Sequence, residues 1–178
     1  ISAVAEEGRQ VFGAQRAGVF LLDELGGAVP FAAPGLSAGY VTALRARWRE
    51  MAPAAAILRG EAYFVRDARD DRASPMHDQV EAEGFAALAA LPLSYGGRVI
   101  GWISFYHDAP RDYGAEERVL ASAFADQAAL AIGRGRLLET VSRVKQEWQA
   151  AFDGLGSGLA LVDRQGRLTR FWYDPDGV

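Results

Sequence analysis

The sequence predicts an α+β fold: an antiparallel sheet with flanking helices, leading into one long C-terminal connecting helix. Three observations carry this. Ala87–Tyr95 and residues 98–106 are β-prone runs joined only by Gly96-Gly97, and a Gly-Gly pair suits a two-residue hairpin whose central residues need φ > 0. Helix-start signals at Ser37, Pro53 and Ser74-Pro75 fall between strand-like segments. After Pro110, an Ala/Leu-rich stretch runs from Gly114 past Trp148 without a proline.

The elements follow in order. Ile1, Val4, Ala5, Gly8, Val11 and Phe12 share one face at helical spacing, which predicts an amphipathic helix that Gly13 can end. Residues 17–22 read as a buried strand and 24–27 as a turn. Residues 29–33 read as a return strand, placed at a sheet edge by Pro30. Ser37 caps a second helix, on which Tyr40, Leu44, Trp48 and Met51 form a stripe. Pro53 sits in the first turn of a third helix, and Gly60 terminates it. Residues 62–65 form a short strand, 66–72 a charged loop, and Ser74-Pro75 opens a short helix ending at Gly84. The long helix begins near Gly114, where Glu116 and Glu117 face the positive end of its dipole. Further along, Leu137, Val141, Val144, Trp148 and Ala151 alternate by four and three. That is a heptad seam, which predicts a two-helix contact. Residues 158–162 and 167–172 are two more strands around the turn 163–166, the opening of a second, truncated domain.

Composition narrows the chemistry. The 178 residues carry a net charge of −4, against a nucleic-acid surface, which needs a basic footprint. There is no cysteine, so disulfides, thiolate metal sites and a cysteine nucleophile are excluded. No apolar run approaches a membrane span and no signal peptide is present. The chain reads as a cytoplasmic piece of a longer protein.

Four pieces in this order resemble a GAF domain: Arg16-Ala-Gly-Val-Phe-Leu-Leu-Asp23, Ala56-Ile-Leu-Arg-Gly-Glu-Ala-Tyr-Phe-Val65, the Gly-Gly hairpin, and Tyr113-Gly-Ala-Glu-Glu-Arg-Val-Leu120. The tail from Trp148, with Phe152-Asp-Gly-Leu-Gly-Ser-Gly-Leu-Ala-Leu-Val-Asp163 and Gly166-Arg-Leu168, resembles the start of a PAS domain. The resemblance implies a GAF domain over 1–138, a connecting signalling helix over 139–151, and the beginning of a PAS-like domain over 152–178. This order is typical of bacterial sensor proteins that end in a histidine kinase, a diguanylate cyclase or a phosphatase. It implies a sensor and dimerisation module without catalytic residues of its own, pairing as a homodimer through its terminal helices. Leu137, Val141, Val144 and Trp148 would carry the signal onward. A ligand-free dimerising spacer is the alternative.

By the same resemblance, a small-molecule pocket lies between the sheet and its covering helices. Its walls are Phe20, Leu22, Tyr40, Leu44, Trp48, Tyr63, His77, Trp102, Ser104 and Tyr106. Which face of 98–106 meets it is open. Ile100, Trp102, Ser104 and Tyr106 alternate with Gly101, Ile103, Phe105 and His107, and both faces look apolar. His77 reads either as a partly exposed helix residue or as a contact to an anion or a haem; haem is the one cofactor the chain leaves open. His107, beside Asp108, reads as an edge hydrogen-bonding group. The chain has no asparagine and a single lysine, Lys145, so it lacks the dispersed signature of cyclic-nucleotide-binding relatives. The missing cysteine excludes bilin attachment in its usual form. The aspartates at 67, 70, 71 and 78 interleave with arginines and lack a calcium-loop glycine, which reads as an ion-pair loop and predicts no metal. Gly133 and Gly135 inside the long helix read as close packing or as a hinge.

Overall fold

Gly96 and Gly97 have φ of +60° and +77°, the left-handed pair that a two-residue hairpin turn requires, and the turn closes with Tyr95 opposite Arg98. This is a computed structural model that describes residues 2–153, 159–163, 165 and 167–172. Its elements are α1 (Ser2–Val11), β1 (Arg16–Leu22), β2 (Ala28–Ala32), α2 (Ala38–Arg47), α3 (Ala52–Leu58), β3 (Tyr63–Val65), α4 (His77–Glu83), β4 (Ala87–Tyr95), β5 (Arg98–His107), α5 (Ala115–Asp153), β6 (Leu159–Val162) and β7 (Leu168–Trp172). Strands β1 to β5 form one sheet in the order β2-β1-β5-β4-β3, antiparallel throughout. The chain divides into two compact units, Ile1–Gly133 and Arg134–Val178.

The local signals act as their chemistry requires. The Ser37 hydroxyl accepts the Tyr40 N–H at 3.1 Å and caps α2. Pro53 occupies the first turn of α3. Gly84, at φ +79°, ends α4 in the left-handed conformation. Two boundaries differ from expectation. The second helix becomes a 3-10 turn at Trp48–Glu50, and α4 starts at His77 because Ser74 and Pro75 first form a separate turn. That turn is held by the Ser74 carbonyl and hydroxyl, which accept the N–H groups of His77 and Met76.

A bulge in the central hairpin decides which side chains face which way. Ser94 pairs with Val99, but Leu93 pairs with Gly101, leaving Ile100 as the extra residue. Ile100 therefore joins the Ile103 and Phe105 layer and leaves the face of Trp102 and Tyr106, with which simple alternation groups it. Beyond the bulge each residue of β4 meets a partner one place further along: Ala90 lies opposite Ser104 and Leu88 opposite Tyr106. The sheet so acquires two distinct faces. One packs Val19, Leu91, Ile103 and Phe105 against α1 and the alanines Ala121, Ala125 and Ala128 of α5. The other packs Phe20, Leu88, Trp102 and Tyr106 against α2, α3 and α4.

Two glycines matter for this packing. A side chain at Gly133 would collide with the Tyr95 ring, whereas Gly135 faces open space. Close approach of helix to sheet therefore accounts for Gly133. At Gly101 a Cβ would press on the Phe20 carbonyl oxygen and lie 2.8 Å from the Leu21 Cα. Both contacts are backbone of the neighbouring strand, which cannot rotate away. Gly101→Ala should cost about 1–3 kcal/mol by overpacking and lower the melting temperature by roughly 5 °C or more; an unchanged melting curve would contradict this packing.

In the second unit, β6 and β7 are antiparallel. The Asp163 carboxylate accepts the N–H groups of Gln165 and Arg167, both at 2.9 Å, between them. Residues 154–158, 164, 166 and 173–178 of the PAS-like reading lie outside the described residues.

Candidate functional site

The face of β5 that carries Trp102, Ser104 and Tyr106 points at α2 and α3. The space between them is a cavity of about 20 Å³, lined by Tyr40, Leu44, Trp48, Met51, Pro53, Ala54, Ile57, Leu88, Ala90, Trp102, Ser104 and Tyr106. That is room for about one water molecule. Aromatic stacking fills the rest. Phe20 lies on Trp102 with ring centroids 5.0 Å apart, and Trp102 lies on Trp48 at 4.8 Å, both pairs near parallel. Tyr40 meets Tyr106 and Phe85 edge-on at 5.8 and 5.5 Å.

The polar groups here are few and buried. The Tyr40 hydroxyl is hydrogen-bonded to that of Tyr106, which is also bonded to Ser104. Burial pushes the Tyr106 phenol up to about 12, with Ser104 and Tyr40 opposing the shift, and holds Tyr40 well above its ordinary value. Both remain neutral hydrogen-bonding groups at any physiological pH. The Trp48 indole N–H, in a residue 5% exposed, is buried without a partner.

Tyr40 also borders a second space. An open groove of about 580 Å³ runs between α2 and α4, lined by Arg16, Gly35, Leu36, Ser37, Gly39, Tyr40, Ala43, Gln79, Ala82 and Glu83. Its charges satisfy one another. The Glu83 carboxylate accepts the Ser37 N–H at 2.8 Å and the Ser37 hydroxyl. Arg16 pairs with Asp108 and with Glu83, and donates to the Glu83 carbonyl. Tyr40 thus stands between a closed aromatic cavity and an open polar groove.

Of the ten residues expected to wall a pocket, the structure brings six together: Tyr40, Leu44, Trp48, Trp102, Ser104 and Tyr106. Phe20 is in the same layer, but the Trp102 ring covers it. Leu22 and Tyr63 are only partly buried and pack against the outer part of that layer. His77 does not border the cavity. Its Nε2 lies 3.5 Å from Glu81 one turn along α4, and its Nδ1 is buried without a partner. A haem does not fit this arrangement, because the cavity is the size of a water molecule and the histidine lies outside it. The missed wall residues are Pro53, Ala54 and Ile57 of the α3 segment and Leu88 and Ala90 of β4; Met51 had been read as part of the α2 stripe. The β4 pair was hidden by the bulge, since unbroken alternation would place those two residues on the opposite face.

His107 also differs from expectation. It is 5% exposed and faces the α1 and α5 side of the sheet, so it is a core residue and not an edge group. Two ion pairs form at the acidic loop: Asp67 with Arg69 at 2.6 Å, and Arg66 with Asp112 at 3.0 Å. Among the described residues no cluster of three acidic or histidine side chains could hold a metal ion, and no helix is long and apolar enough to cross a membrane.

The sheet order, the helices closing one face, the long α5 on the other and the aromatic, hydroxyl-lined cavity together define an α+β domain built on one antiparallel sheet. The chain belongs to the GAF domain family, whose family model matches residues 1–132. It is similar to a domain of a candidate two-component sensor histidine kinase of Sinorhizobium meliloti 1021, at 30% identity and a TM-score of 0.66, over 79% of this chain and 92% of that one. In fold it is similar to the GAF domain of a phosphoenolpyruvate-protein phosphotransferase from Coxiella burnetii, at 20% identity and a TM-score of 0.67, over 78% and 83% of the two chains. It is likewise similar to GAF3 of a Synechocystis sp. PCC6803 protein in its photoproduct state, at 18% identity and a TM-score of 0.64, over 78% and 94%. No curated protein matches the chain.

Proposed function

We propose that this GAF domain is the regulatory module of a cytoplasmic signal-transduction protein, which pairs with a second copy of itself along α5 and passes its state down that helix to an output domain. The outward stripe of α5 carries the reading. In the first unit Leu120 and Leu130 are 55% and 40% exposed; in the second, Leu137, Val141 and Val144 are 57%, 58% and 40% exposed. Positions 120, 123, 130, 137, 141, 144 and 148 keep one heptad phase. A stripe of that period complements itself across a parallel two-fold axis. Left in water, it would be a costly apolar surface. Gln127 and Arg134 fall at the inner positions of the same repeat, where polar residues set register.

The identity to the Sinorhizobium meliloti domain supports a histidine kinase as the output; a diguanylate cyclase or a phosphatase is the alternative. The β6–β7 hairpin supports a PAS-like domain beginning after α5.

The cavity, with room for about one water molecule, favours a dimerising relay that needs no ligand. A second reading, small-molecule sensing, is favoured by the unpartnered Trp48 N–H and by the groove at Tyr40. A ligand with a hydrogen-bond acceptor for the indole would enter from the groove, displacing Tyr40 from Tyr106. To signal, it must bind the open and closed arrangements unequally. Native mass spectrometry with an absorption spectrum of the same sample separates these readings. A colourless dimer without added mass is the expected result. A stoichiometric extra mass would instead establish a bound ligand, and a monomer at all concentrations would overturn the pairing.

A further inference from the structure

The other face of the sheet holds a second polar site, inside an apolar layer. His107 ends β5 and borders a void of about 10 Å³, lined also by Phe12, Ala89, Phe105, Tyr113, Glu117 and Ala121. Its Nε2 is buried without a partner, and so is the Tyr113 hydroxyl, whose ring centroid is 6.0 Å away. The rest of the His107 ring is hydrogen-bonded to the backbone of Gly13, the residue at φ +60° that ends α1. Three elements therefore meet at one imidazole: the end of β5, the C-terminal end of α1, and the first turn of α5.

We propose that His107 is a proton-sensing site, neutral in this conformation, whose protonation loosens the seating of α1 and of the first turn of α5 on the sheet. The neutral ring suits its surroundings. It leaves Nε2 without a proton that would need an acceptor, and it places no charge in the layer of Phe12, Phe105 and Ala121. A protonated ring would keep its donor to Gly13 and gain a second at Nε2, and the charged acceptor bordering the void is the Glu117 carboxylate. That carboxylate is already held by Arg111, whose Nε and Nη2 donate to it at 3.0 and 2.7 Å. Protonation thus sets His107 against Arg111 for Glu117, at the start of the helix that carries the outward stripe.

The β5–α5 connection supplies Arg111, which disfavours the cation, and Asp108, which favours it but is held by Arg16; α5 supplies Glu117, which favours it. From the residues just after α1 come the Phe12 ring and the Gly13 backbone, and from β4 the side chain of Ala89, none of them ionisable. Burial, ahead of all of these, lowers the His107 pKa below its ordinary 6.5. The unfolded chain therefore takes up the proton first as pH falls. Stability from this site is complete above about 6.5 and declines below it, until the folded pKa is reached. Each unit between the two pKa values changes the folded-to-unfolded ratio by up to about tenfold.

Only the onward path of the signal rests on α5 being the relay; the proton linkage stands on the His107 site itself. The test is an NMR titration of the whole chain between pH 7.5 and 5, with amide hydrogen exchange corrected for intrinsic rates. His77 is the only other histidine, so single substitutions assign both rings. The expected results are a His107 ring titrating below the ordinary value, and protection of residues 8–14 and 113–121 falling on acidification, by up to about tenfold for each pH unit between the two pKa values. His107→Gln should abolish that fall. An ordinary His107 titration, a pH-independent protection, or an undiminished fall in His107→Gln would overturn the proposal. If His107→Gln does not fold, Glu117→Gln decides: removing the negative charge should depress the His107 titration further, and an unmoved titration would count against the site. Light scattering on the same samples reports pairing separately, so a failed proton switch is distinguishable from a failed dimer.

Discussion

Substituting aspartate for both Val141 and Val144 should convert a dimer of this chain to monomers, with α5 upstream of Gly133 still folded. The two valines are 58% and 40% exposed on their own chain, so neither substitution removes an intramolecular contact of the first unit. In a paired helix, however, they are successive inner residues, and each copy would bury two carboxylates, four in the dimer, with no cation opposite them in the repeat. Burying unpaired charges costs several kcal/mol each, more than such a stripe gains at about 25 cal/mol per Å² of apolar area. Light scattering should show half the mass of the parent, and circular dichroism an unchanged sheet signal. A dimer of unchanged mass would place the pairing elsewhere.

Trp102→Ala should be the most destabilising substitution on the cavity side. The indole is 5% exposed and stacked on both faces, by Phe20 and by Trp48. Removing such a ring from a core costs about 3–5 kcal/mol, because the neighbours collapse only partly into the space. That is a large share of the 5–15 kcal/mol typical of a domain. The same change should enlarge the one-water cavity into a flat slot between Phe20 and Trp48. Added indole should then raise the melting temperature of the variant with concentration, as binding to the folded state requires, and leave the parent unaffected. A variant as stable as the parent, or one indifferent to indole, would show that this stack does not hold α2 and α3 onto the sheet.

Much of the architecture was legible because it depends on contacts a few residues apart. Ser37 caps its helix through the N–H three positions on, and Gly84, Gly96 and Gly97 are needed where φ turns positive. The Gly-Gly turn alone brings β4 and β5 together, and the Tyr40, Leu44, Trp48 stripe finds the cavity because its period is helical. The acids of the first turn of α5 mark its start.

The site was legible only in part. Alternation along 98–106 leaves its two faces indistinguishable, and the bulge at Ile100 breaks the count that would have assigned Leu88 and Ala90. His107 read as an edge group because it stands beside Asp108 and ends a strand. Its burial comes from Phe12 after α1 and Tyr113 before α5, residues about a hundred positions and six positions away. Whether a ligand-sized space exists was likewise beyond any local pattern, since it depends on how Phe20, Trp102 and Trp48, from three separate elements, stack.

Local backbone preference and side-chain period thus sufficed for the kinds and order of the elements, the family and the outward stripe of α5. The depth of the cavity, the burial of His107 and the choice of sheet face came from packing between segments distant in the chain. A single extra residue in a strand, or one ring lying on another, changes those outcomes without altering any short-range signal.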